Sequence, residues 1–142
     1  MTIEIQYVPT EFVAQTWPLM EDILAKAIVH DRGEYTVDQI KLMVCTGQWF
    51  LVVWVDGEKI CGAATISFMN RANDRIAFVT YIAGTGLFNI QTTEQFFSLL
   101  RQRGATKIQG AVRPSVLRLW RRWGFKPIYT IGEIDLCTQR AG

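Results

Sequence analysis

The first fifty residues show one strand pattern, which two helical patterns follow. Residues Ile3 to Val8 alternate between apolar and polar side chains, which predicts a short strand. Apolar side chains then recur near helical spacing after Thr10, which can cap the helix. Pro18 lies inside that pattern, so we expect the helix to kink or restart there. The run Thr36-Val37-Asp38-Gln39 has the form of a capping box and predicts a further helix, which Gly47 ends.

The middle of the chain predicts three antiparallel strands. Aromatic and β-branched residues fill Gln48 to Val55 and continue from Ile60 to Phe68. Asp56-Gly57 between these segments is typical of a hairpin turn. Asn73-Asp74 marks a second turn, and Arg75 to Ala83 is the third strand. Two short turns in succession require that the three strands run antiparallel.

The last third of the chain alternates between helices and strands. Thr92-Thr93-Glu94-Gln95 has the form of another capping box and predicts a helix that Gly104 ends. A short strand, a helix and a final extended strand follow, over Lys107 to Val112, Pro114 or Ser115 to Gly124, and Ile128 to Leu136.

The predicted element order is β-α-α-β-β-β-α-β-α-β. The strand–helix–strand unit around residues 93–112 favours a parallel pair of strands, whereas the hairpins require antiparallel pairs. We therefore predict an α/β (α+β) fold in which helices cover both faces of a mixed sheet. The 142 residues contain no linker, repeat or low-complexity stretch, so we expect one domain over residues 1–142.

Composition excludes several classes of protein. Apolar residues make up 49% and charged residues 20%, as in an ordinary globular protein and not a disordered one. His30 is the only histidine and the cysteines are scattered, so a histidine-rich zinc site is excluded and no metal site is predicted. We expect the three scattered cysteines to be reduced core residues of a cytoplasmic protein. No apolar run approaches the roughly 20 residues of a membrane-spanning helix, so no membrane association is predicted.

Charge is distributed unevenly along the chain. Residues 1–100 hold six basic and eleven acidic side chains, whereas residues 101–142 hold nine basic and two acidic ones. The predicted helix before Gly124 carries arginines beside an apolar face, which we expect to pack in the core: Val116, Leu119, Trp120 and Trp123. The candidate partner-binding residues are Arg113, Arg118, Arg121 and Arg122. Three interpretations stay open for them: a solvated face, contact with an acidic protein, or contact with nucleic acid or a cofactor phosphate.

The predicted element order resembles the GNAT fold, that of acetyl-CoA-dependent N-acetyltransferases, over nearly the whole chain. Trp123-Gly124-Phe125 is similar to the glycine-phenylalanine motif that precedes the last strands of that family. Residues 8–86 also resemble GNAT-like proteins encoded by tailed phages and prophages. The residues that carry this second resemblance are Trp17-Pro18-Leu19, Leu24-Ala25-Lys26-Ala27, Gly33-Glu34-Tyr35-Thr36, Trp54-Val55 and Ile60-Cys61-Gly62-Ala63.

The resemblance implies a cofactor site after the third strand of the central meander. GNAT enzymes hold the pyrophosphate of acetyl-CoA on backbone amides of an (Arg/Gln)-x-x-Gly-x-(Gly/Ala) loop. The implied cofactor-binding residues here are Ile82, Ala83, Gly84, Thr85 and Gly86. Tyr81 stands where the family has Arg or Gln. The predicted helix cap lies about six residues past Gly86, and its first turn carries Glu94, whose charge would repel a phosphate.

The resemblance also implies positions for acid–base residues. In the family an Asn opens the last helix, and a Tyr seven residues later serves as general acid. Those positions hold Arg113 and Trp120 in this chain, so the acid is absent. Tyr81 and Glu34 are the candidates that remain for catalysis; their alternative roles are an ordinary strand aromatic and a surface loop residue.

These observations lead to three functional hypotheses. The first is a phage or prophage protein with a degenerate acetyltransferase site, which acts as an assembly or virion component. Its partners would be phage structural proteins or a second copy of the chain, in the host cytoplasm or in the particle. The second is an acetyl-CoA-dependent N-acetyltransferase with a divergent site. The third is a nucleic-acid-binding accessory protein that uses the basic C-terminal third.

Overall fold

The computed structural model describes residues 2–137. They form two compact units, one ending at Ala111 and the other beginning at Val112. The first unit holds, in chain order, β1 (Ile3–Val8), α1 (Thr10–Thr16), α2 (Glu21–Ile28), α3 (Val37–Cys45), β2 (Phe50–Asp56), β3 (Lys59–Asn70), β4 (Arg75–Gly84), α4 (Ile90–Gln102) and β5 (Lys107–Gly110). The prediction of a single domain over residues 1–142 stays a prediction.

Pro18 interrupts the first helical segment as predicted. A 3₁₀ helix over Trp17–Leu19 separates α1 from α2, because a proline removes one hydrogen bond and crowds the preceding turn. The capping box of α3 is also confirmed. Thr36 Oγ1 accepts a hydrogen bond from Gln39 N at 3.2 Å, and Thr36 N donates one to Gln39 Oε1 at 2.8 Å.

The sheet is mixed, as predicted, with the strand order β1-β2-β3-β4-β5. The first three pairs are antiparallel and β4–β5 is parallel. Pairing between β4 and β5 runs only from Ile76–Lys107 to Val79–Gly110. The residues Thr80 to Gly84 of β4 therefore extend beyond the end of β5.

Helices cover both faces of the sheet, which confirms the predicted fold class. On one face, the segment from α1 to α3 packs against alternate residues of the strands; the largest buried side chains of this core are Trp17, Met20, Leu24, Ile40 and Leu51. On the other face, α4 packs against the intervening residues; the largest are Trp54, Ile66, Phe96 and Leu100. This alternation is the period of two that the strand patterns predicted.

The start of α4 corrects the sequence prediction. The helix begins at Ile90, with Asn89 rather than Thr92 as its N-cap. Asn89 Oδ1 accepts a hydrogen bond from Thr92 N at 2.9 Å, and Thr92 Oγ1 accepts one from Asn89 N at 2.9 Å. The threonine hydroxyl thus takes the place of the Glu or Gln that the capping-box pattern specifies. Glu94 consequently lies outside the first turn of the helix.

The second unit contains α5 (Pro114–Trp120) and a 3₁₀ helix over Arg121–Trp123. Gly124 ends the helix in a left-handed conformation, as its position in the sequence predicted. The strand predicted over Ile128 to Leu136 does not form, since residues 124–137 include no strand. The reason is that alternating apolar residues form a strand only when another strand pairs with them, and five of these side chains are exposed: Ile128, Tyr129, Ile131, Ile134 and Leu136.

The cysteines are not core residues, contrary to the prediction from the sequence. Cys45 and Cys61 are half-buried, and Cys137 is exposed at the end of the described segment. All three are free thiols. Within residues 2–137, no helix combines the length and apolar character that crossing a membrane requires.

Candidate active site

A bulge interrupts β4 just after its pairing with β5 ends. Val79 pairs with Ile66 and Tyr81 pairs with Thr65, so Thr80 is an extra residue in β4. The Thr80 hydroxyl donates a hydrogen bond to the Thr65 carbonyl oxygen at 2.8 Å and lies 2.7 Å from the Thr65 hydroxyl. These contacts hold the extra residue in place. Bulges of this kind redirect side chains and are frequent beside functional sites.

The bulge changes the face to which Tyr81 belongs. Ala77 and Val79 pack on the α4 side of the sheet, whereas Tyr81 packs on the side of α1 to α3. Strict alternation would place residues 77, 79 and 81 on one face. The extra residue therefore turns Tyr81 toward the opposite core, where its ring lies 6.1 Å from that of Trp49 and 6.3 Å from that of Tyr35.

The hydroxyl of Tyr81 reaches a carboxylate that is fifty residues away in the chain. Tyr81 Oη donates a hydrogen bond of 2.5 Å to Asp31 Oδ2. The other carboxylate oxygen, Asp31 Oδ1, accepts one from Gly33 N at 2.7 Å. The two bonds fix the Asp31 side chain between β4 and the loop that follows α2. Sequence analysis did not single out Asp31, because no local motif links it to Tyr81.

The surroundings of Tyr81 keep its hydroxyl protonated. Burial of the phenol, the hydrogen bond to Asp31 and the negative charges of Asp31 and Glu34 together raise the pKa of Tyr81 well above its ordinary value of 10.0. Tyr81 is consequently a hydrogen-bond donor to Asp31 near neutral pH and not a general base. Asp31 is the group of this pair that can accept a further hydrogen bond.

Glu34, the other candidate from the sequence, lies in the same loop as Asp31. Its side chain is exposed, and Glu34 Oε1 accepts a hydrogen bond from Arg32 N at 2.7 Å. The structure therefore brings the charge of Glu34 near Tyr81 but aims its carboxylate at the loop backbone. Its catalytic role stays a prediction.

The two glycines of the Gly84-Thr85-Gly86 turn have different surroundings. Gly84 has a φ of 137°, and a β-carbon there would lie 2.5 Å from the Cys61 carbonyl oxygen, so no other residue fits. Gly86 has a φ of 63°, and a β-carbon there would meet no atom within 4 Å. The backbone at Gly86 therefore borders open space, whereas the backbone at Gly84 is packed tightly against β3.

Leu87 and Trp54 fix the chain that follows this turn. The Leu87 side chain is buried in the hollow left by Gly62 and Gly84, where an added β-carbon would collide with Leu87 Cδ2. Trp54 Nε1 donates a buried hydrogen bond of 2.9 Å to the Leu87 carbonyl oxygen. The Trp54 ring in turn packs against Phe96 of α4 at a centroid distance of 5.3 Å. The turn is thus attached to both the sheet and the helix.

The N-terminus of α4 lies three residues past Gly86, not six as predicted. Its first turn contains no acidic side chain, and Glu94 is paired with Arg101 at 2.9 Å. Amides in the first turn of a helix have no partner within the helix and attract anions. Asn89 already accepts from Thr92 N, so the amides of Ile90 and Gln91 are those of the first turn that have no partner within the capped helix. The predicted position of Glu94 in the first turn of the helix is therefore wrong.

The arginines predicted to bind a partner are all exposed in the second unit. Arg113 is the N-cap of α5, Arg118 lies within α5, and Arg121 and Arg122 lie in the 3₁₀ helix. The apolar face beside them is not a buried core, contrary to prediction. Val116, Trp120 and Trp123 are only half-buried, and Leu119 is 58% exposed.

Comparisons with known proteins identify the fold. No protein-family model matches the chain, and no curated protein matches it either. Solved structures do match. An aminoglycoside acetyltransferase from an uncultured soil metagenomic sample, in complex with trehalose, has a TM-score of 0.64 and 10% identity, with 94% of each chain covered. An aminoglycoside N-acetyltransferase in complex with CoA has a TM-score of 0.64 and 11% identity, with 96% of each chain covered.

A third match carries a different description. A transcriptional regulator from Bacillus halodurans C-125 has a TM-score of 0.63 and 19% identity, with 95% of this chain and 100% of that chain covered. Identities this low establish the fold alone. The chain has the GNAT fold of these acetyltransferases, as its element order predicted. Nothing in the comparisons supports the phage or virion part of the resemblance.

Proposed function

We propose that this protein is an acyl-CoA-dependent N-acyltransferase that acetylates an amine, the second of the three hypotheses. The observation that carries the proposal is the path of β4. The strand bulges at Thr80, extends beyond β5 and ends in a glycine turn three residues before a capped helix. This arrangement brings backbone amides, an aromatic cluster and a carboxylate to one end of the sheet.

The residues of the glycine turn fit the pyrophosphate of acetyl-CoA. Gly86 leaves room beside its backbone, and the first turn of α4 has no negative side chain to oppose an anion. The amides of Ile82 to Gly86, together with those at the start of α4, would hold the cofactor. When bound, acetyl-CoA supplies a thioester whose acetyl group an amine can accept.

Asp31 and Tyr81 would orient the acceptor amine. An Asp31 carboxylate held by two hydrogen bonds presents a fixed negative charge, which attracts a protonated amino group and, once that group has lost a proton to water, accepts a hydrogen bond from the neutral amine that attacks the thioester. Tyr81 acts through Asp31 as a positioning residue, because its protonated hydroxyl holds Oδ2. Fixed orientation of two reactants is a large source of rate acceleration that needs no acid or base.

The enzyme would lack a side chain that protonates the leaving thiolate. Arg113 and Trp120 occupy the two ends of α5, and neither side chain gives up a proton readily. General acid catalysis is typically worth about 10²- to 10⁴-fold in rate. We therefore expect acetyl transfer to be slow and to depend on positioning, with water as the proton source.

Calorimetric titration with acetyl-CoA tests the cofactor site. Gly86→Asp places a carboxylate beside the proposed pyrophosphate site without a steric clash, whereas Gly86→Asn places a neutral group of the same shape there. Asp and Asn both tolerate the left-handed conformation comparatively well. We expect the aspartate variant to bind acetyl-CoA at least about tenfold more weakly than the asparagine variant, a difference of about 1.4 kcal/mol.

The absence of acetyl-CoA binding by the wild-type protein at millimolar concentration would overturn the proposal, and equal affinities of the two Gly86 variants would overturn the site. Transfer of acetyl groups from acetyl-CoA to a panel of amines, followed by mass spectrometry, then tests the activity itself. The phage hypothesis stays a prediction. Mass spectrometry of purified particles tests it separately.

A further inference from the structure

A long stretch of the chain carries positive charge without any negative charge. Between Glu94 and Glu133 there is no acidic residue, and eight basic ones occur: Arg101, Arg103, Lys107, Arg113, Arg118, Arg121, Arg122 and Lys126. In the first unit this charge is partly neutralised, since Arg101 pairs with Glu94 and Lys107 with Asp74. The basic residues of the second unit are of greater interest, because acyl transfer does not require them.

Three arginines of the second unit form one exposed group, which we call the α5 arginine face: Arg118, Arg121 and Arg122. Within residues 2–137 none of their guanidinium groups makes a hydrogen bond or an ion pair. Arg118, Arg121 and Arg122 are spaced three and four residues apart, so they project from the same side of a helix. Unpaired guanidinium groups on one side suit repeated anionic groups such as phosphates.

Two tryptophans stand next to these arginines in the chain. Trp120 and Trp123 flank Arg121 and Arg122 in the chain, and both rings are half-buried rather than enclosed in a core. The Trp120 ring is supported by Phe125 at a centroid distance of 4.8 Å. This segment therefore offers both cationic groups and indole surface that solvent can reach.

We propose that the α5 arginine face, with Trp120 and Trp123, binds single-stranded nucleic acid. Proteins hold single strands by placing cations along the phosphates and by stacking bases on aromatic side chains, and this surface offers both. An acidic protein segment would pair with the arginines but offer no bases for the indole rings. Residues 1–100 carry a net charge of −5, from six basic and eleven acidic residues, which disfavours binding of a polyanion to that part of the chain.

Fluorescence anisotropy with a labelled oligothymidylate tests this interaction on the full chain. Binding that neutralises about three phosphates should weaken about 20-fold between about 50 and 200 mM salt. The triple variant Arg118→Gln/Arg121→Gln/Arg122→Gln should bind at least about tenfold more weakly than the wild type. The matched control Lys26→Gln/Lys59→Gln/Arg71→Gln removes three exposed charges from the first unit and should bind like the wild type.

The contribution of the indole ring is tested at Trp123. Trp123→Leu should weaken oligonucleotide binding severalfold at constant salt, and Trp123→Phe should restore most of the affinity, since a phenyl ring also stacks. Circular dichroism of every variant shows whether it has folded. Equal affinity of the folded leucine and phenylalanine variants would overturn the role of stacking.

A competition experiment and a comparison of ligands distinguish nucleic acid from an acidic protein partner and from the cofactor. If poly-L-glutamate displaces the oligonucleotide as well as an unlabelled oligonucleotide of equal charge does, the surface recognises anionic groups in general, and the proposal fails in favour of an acidic protein partner. If the triple arginine variant loses acetyl-CoA binding and keeps oligonucleotide binding, the arginines serve the cofactor, and the proposal is overturned. Either of these two results would overturn the nucleic-acid proposal but would not affect the proposed acetyl-CoA site at the glycine turn, which the Gly86 variants test separately.

Discussion

Trp54 Nε1 donates a buried hydrogen bond of 2.9 Å to the carbonyl oxygen of Leu87, which lies 33 residues further along the chain. This bond connects the centre of the sheet to the segment between the glycine turn and α4. A buried carbonyl group that loses its donor also loses free energy, because water cannot replace the missing bond. The shape of the proposed cofactor turn thus depends on a residue that lies in β2.

Trp54→Phe keeps an aromatic ring against Phe96 but removes the indole donor. We expect the free energy of unfolding to fall by about 1–3 kcal/mol, with a matching loss of acetyl-CoA affinity as the turn loosens. Urea denaturation and calorimetry measure the two effects. Phe96→Leu is the control, since it destabilises the packing and leaves the hydrogen bond intact, so the folded variant should bind acetyl-CoA normally. Unchanged stability of Trp54→Phe would contradict this account.

Gly62 and Leu87 should be energetically coupled. Gly62→Ala places a methyl group against Leu87 Cδ2 and should destabilise the fold by about 1–3 kcal/mol. Leu87→Ala empties the hollow and should destabilise it by about 2–5 kcal/mol. The double variant should lose less than the sum by about 1 kcal/mol or more, because the new methyl group enters the space that the leucine vacated.

Denaturant unfolding of the four proteins of this cycle measures the coupling. Gly33→Ala is the control partner for Leu87→Ala, because a β-carbon at Gly33 meets no neighbouring atom. Its effect should add to that of Leu87→Ala within about 0.5 kcal/mol. Strict additivity of the Gly62 and Leu87 substitutions would show that the two residues are not in contact.

Stability at alkaline pH should depend on Tyr81. Its pKa is raised in the folded protein above the ordinary value of 10.0, chiefly by burial, so the unfolded chain loses this proton first as pH rises. Below pH 10.0 the stabilisation from the protonated hydroxyl is fully present. Above it, the free energy of unfolding should fall by up to about 1.4 kcal/mol per pH unit through this group.

Tyr81→Phe provides the comparison for the pH dependence. The variant lacks the titrating group, so the stability difference between the wild type and the variant should shrink above about pH 10. Urea denaturation at several pH values measures it. A difference that stays constant with pH would mean that the hydroxyl of Tyr81 titrates normally in the folded state.

The N-cap of α4 should contribute to stability as a local feature. Asn89→Ala removes the acceptor for Thr92 N and should destabilise the protein by about 1 kcal/mol, whereas Asn89→Ser retains a cap and should lose much less. Thr36→Ala at the N-cap of α3 is a matched comparison and should have a similar effect. Thermal denaturation of the three variants measures these differences. If Asn89→Ala were as stable as Asn89→Ser, the side chain of Asn89 would not stabilise the helix as an N-cap.

Local patterns predicted most of the secondary structure because their physical causes are local. Pro18 interrupts a helix wherever it stands, and Asp56-Gly57 turns a hairpin through the conformations that its own backbone favours. The start of α4 was placed too late because the capping pattern did not include a threonine as the reciprocal partner of Asn89. The prediction of a last strand over Ile128 to Leu136 failed for a different reason. A strand needs a second segment to pair with, and the pattern within one segment does not show whether a partner is present.

Local patterns along the chain were sufficient to predict every element correctly except the last strand, as well as the mixed sheet with helices on both faces and the glycine turn, since spacing, turn residues and alternation act over a few residues. Three features became visible only in the folded protein: Thr80 is an extra residue, Tyr81 therefore faces α1 to α3, and its hydroxyl meets Asp31. Strand register and contacts between distant residues depend on the packing of the whole sheet. No pattern along the chain specifies them, so the candidate site emerged only in three dimensions.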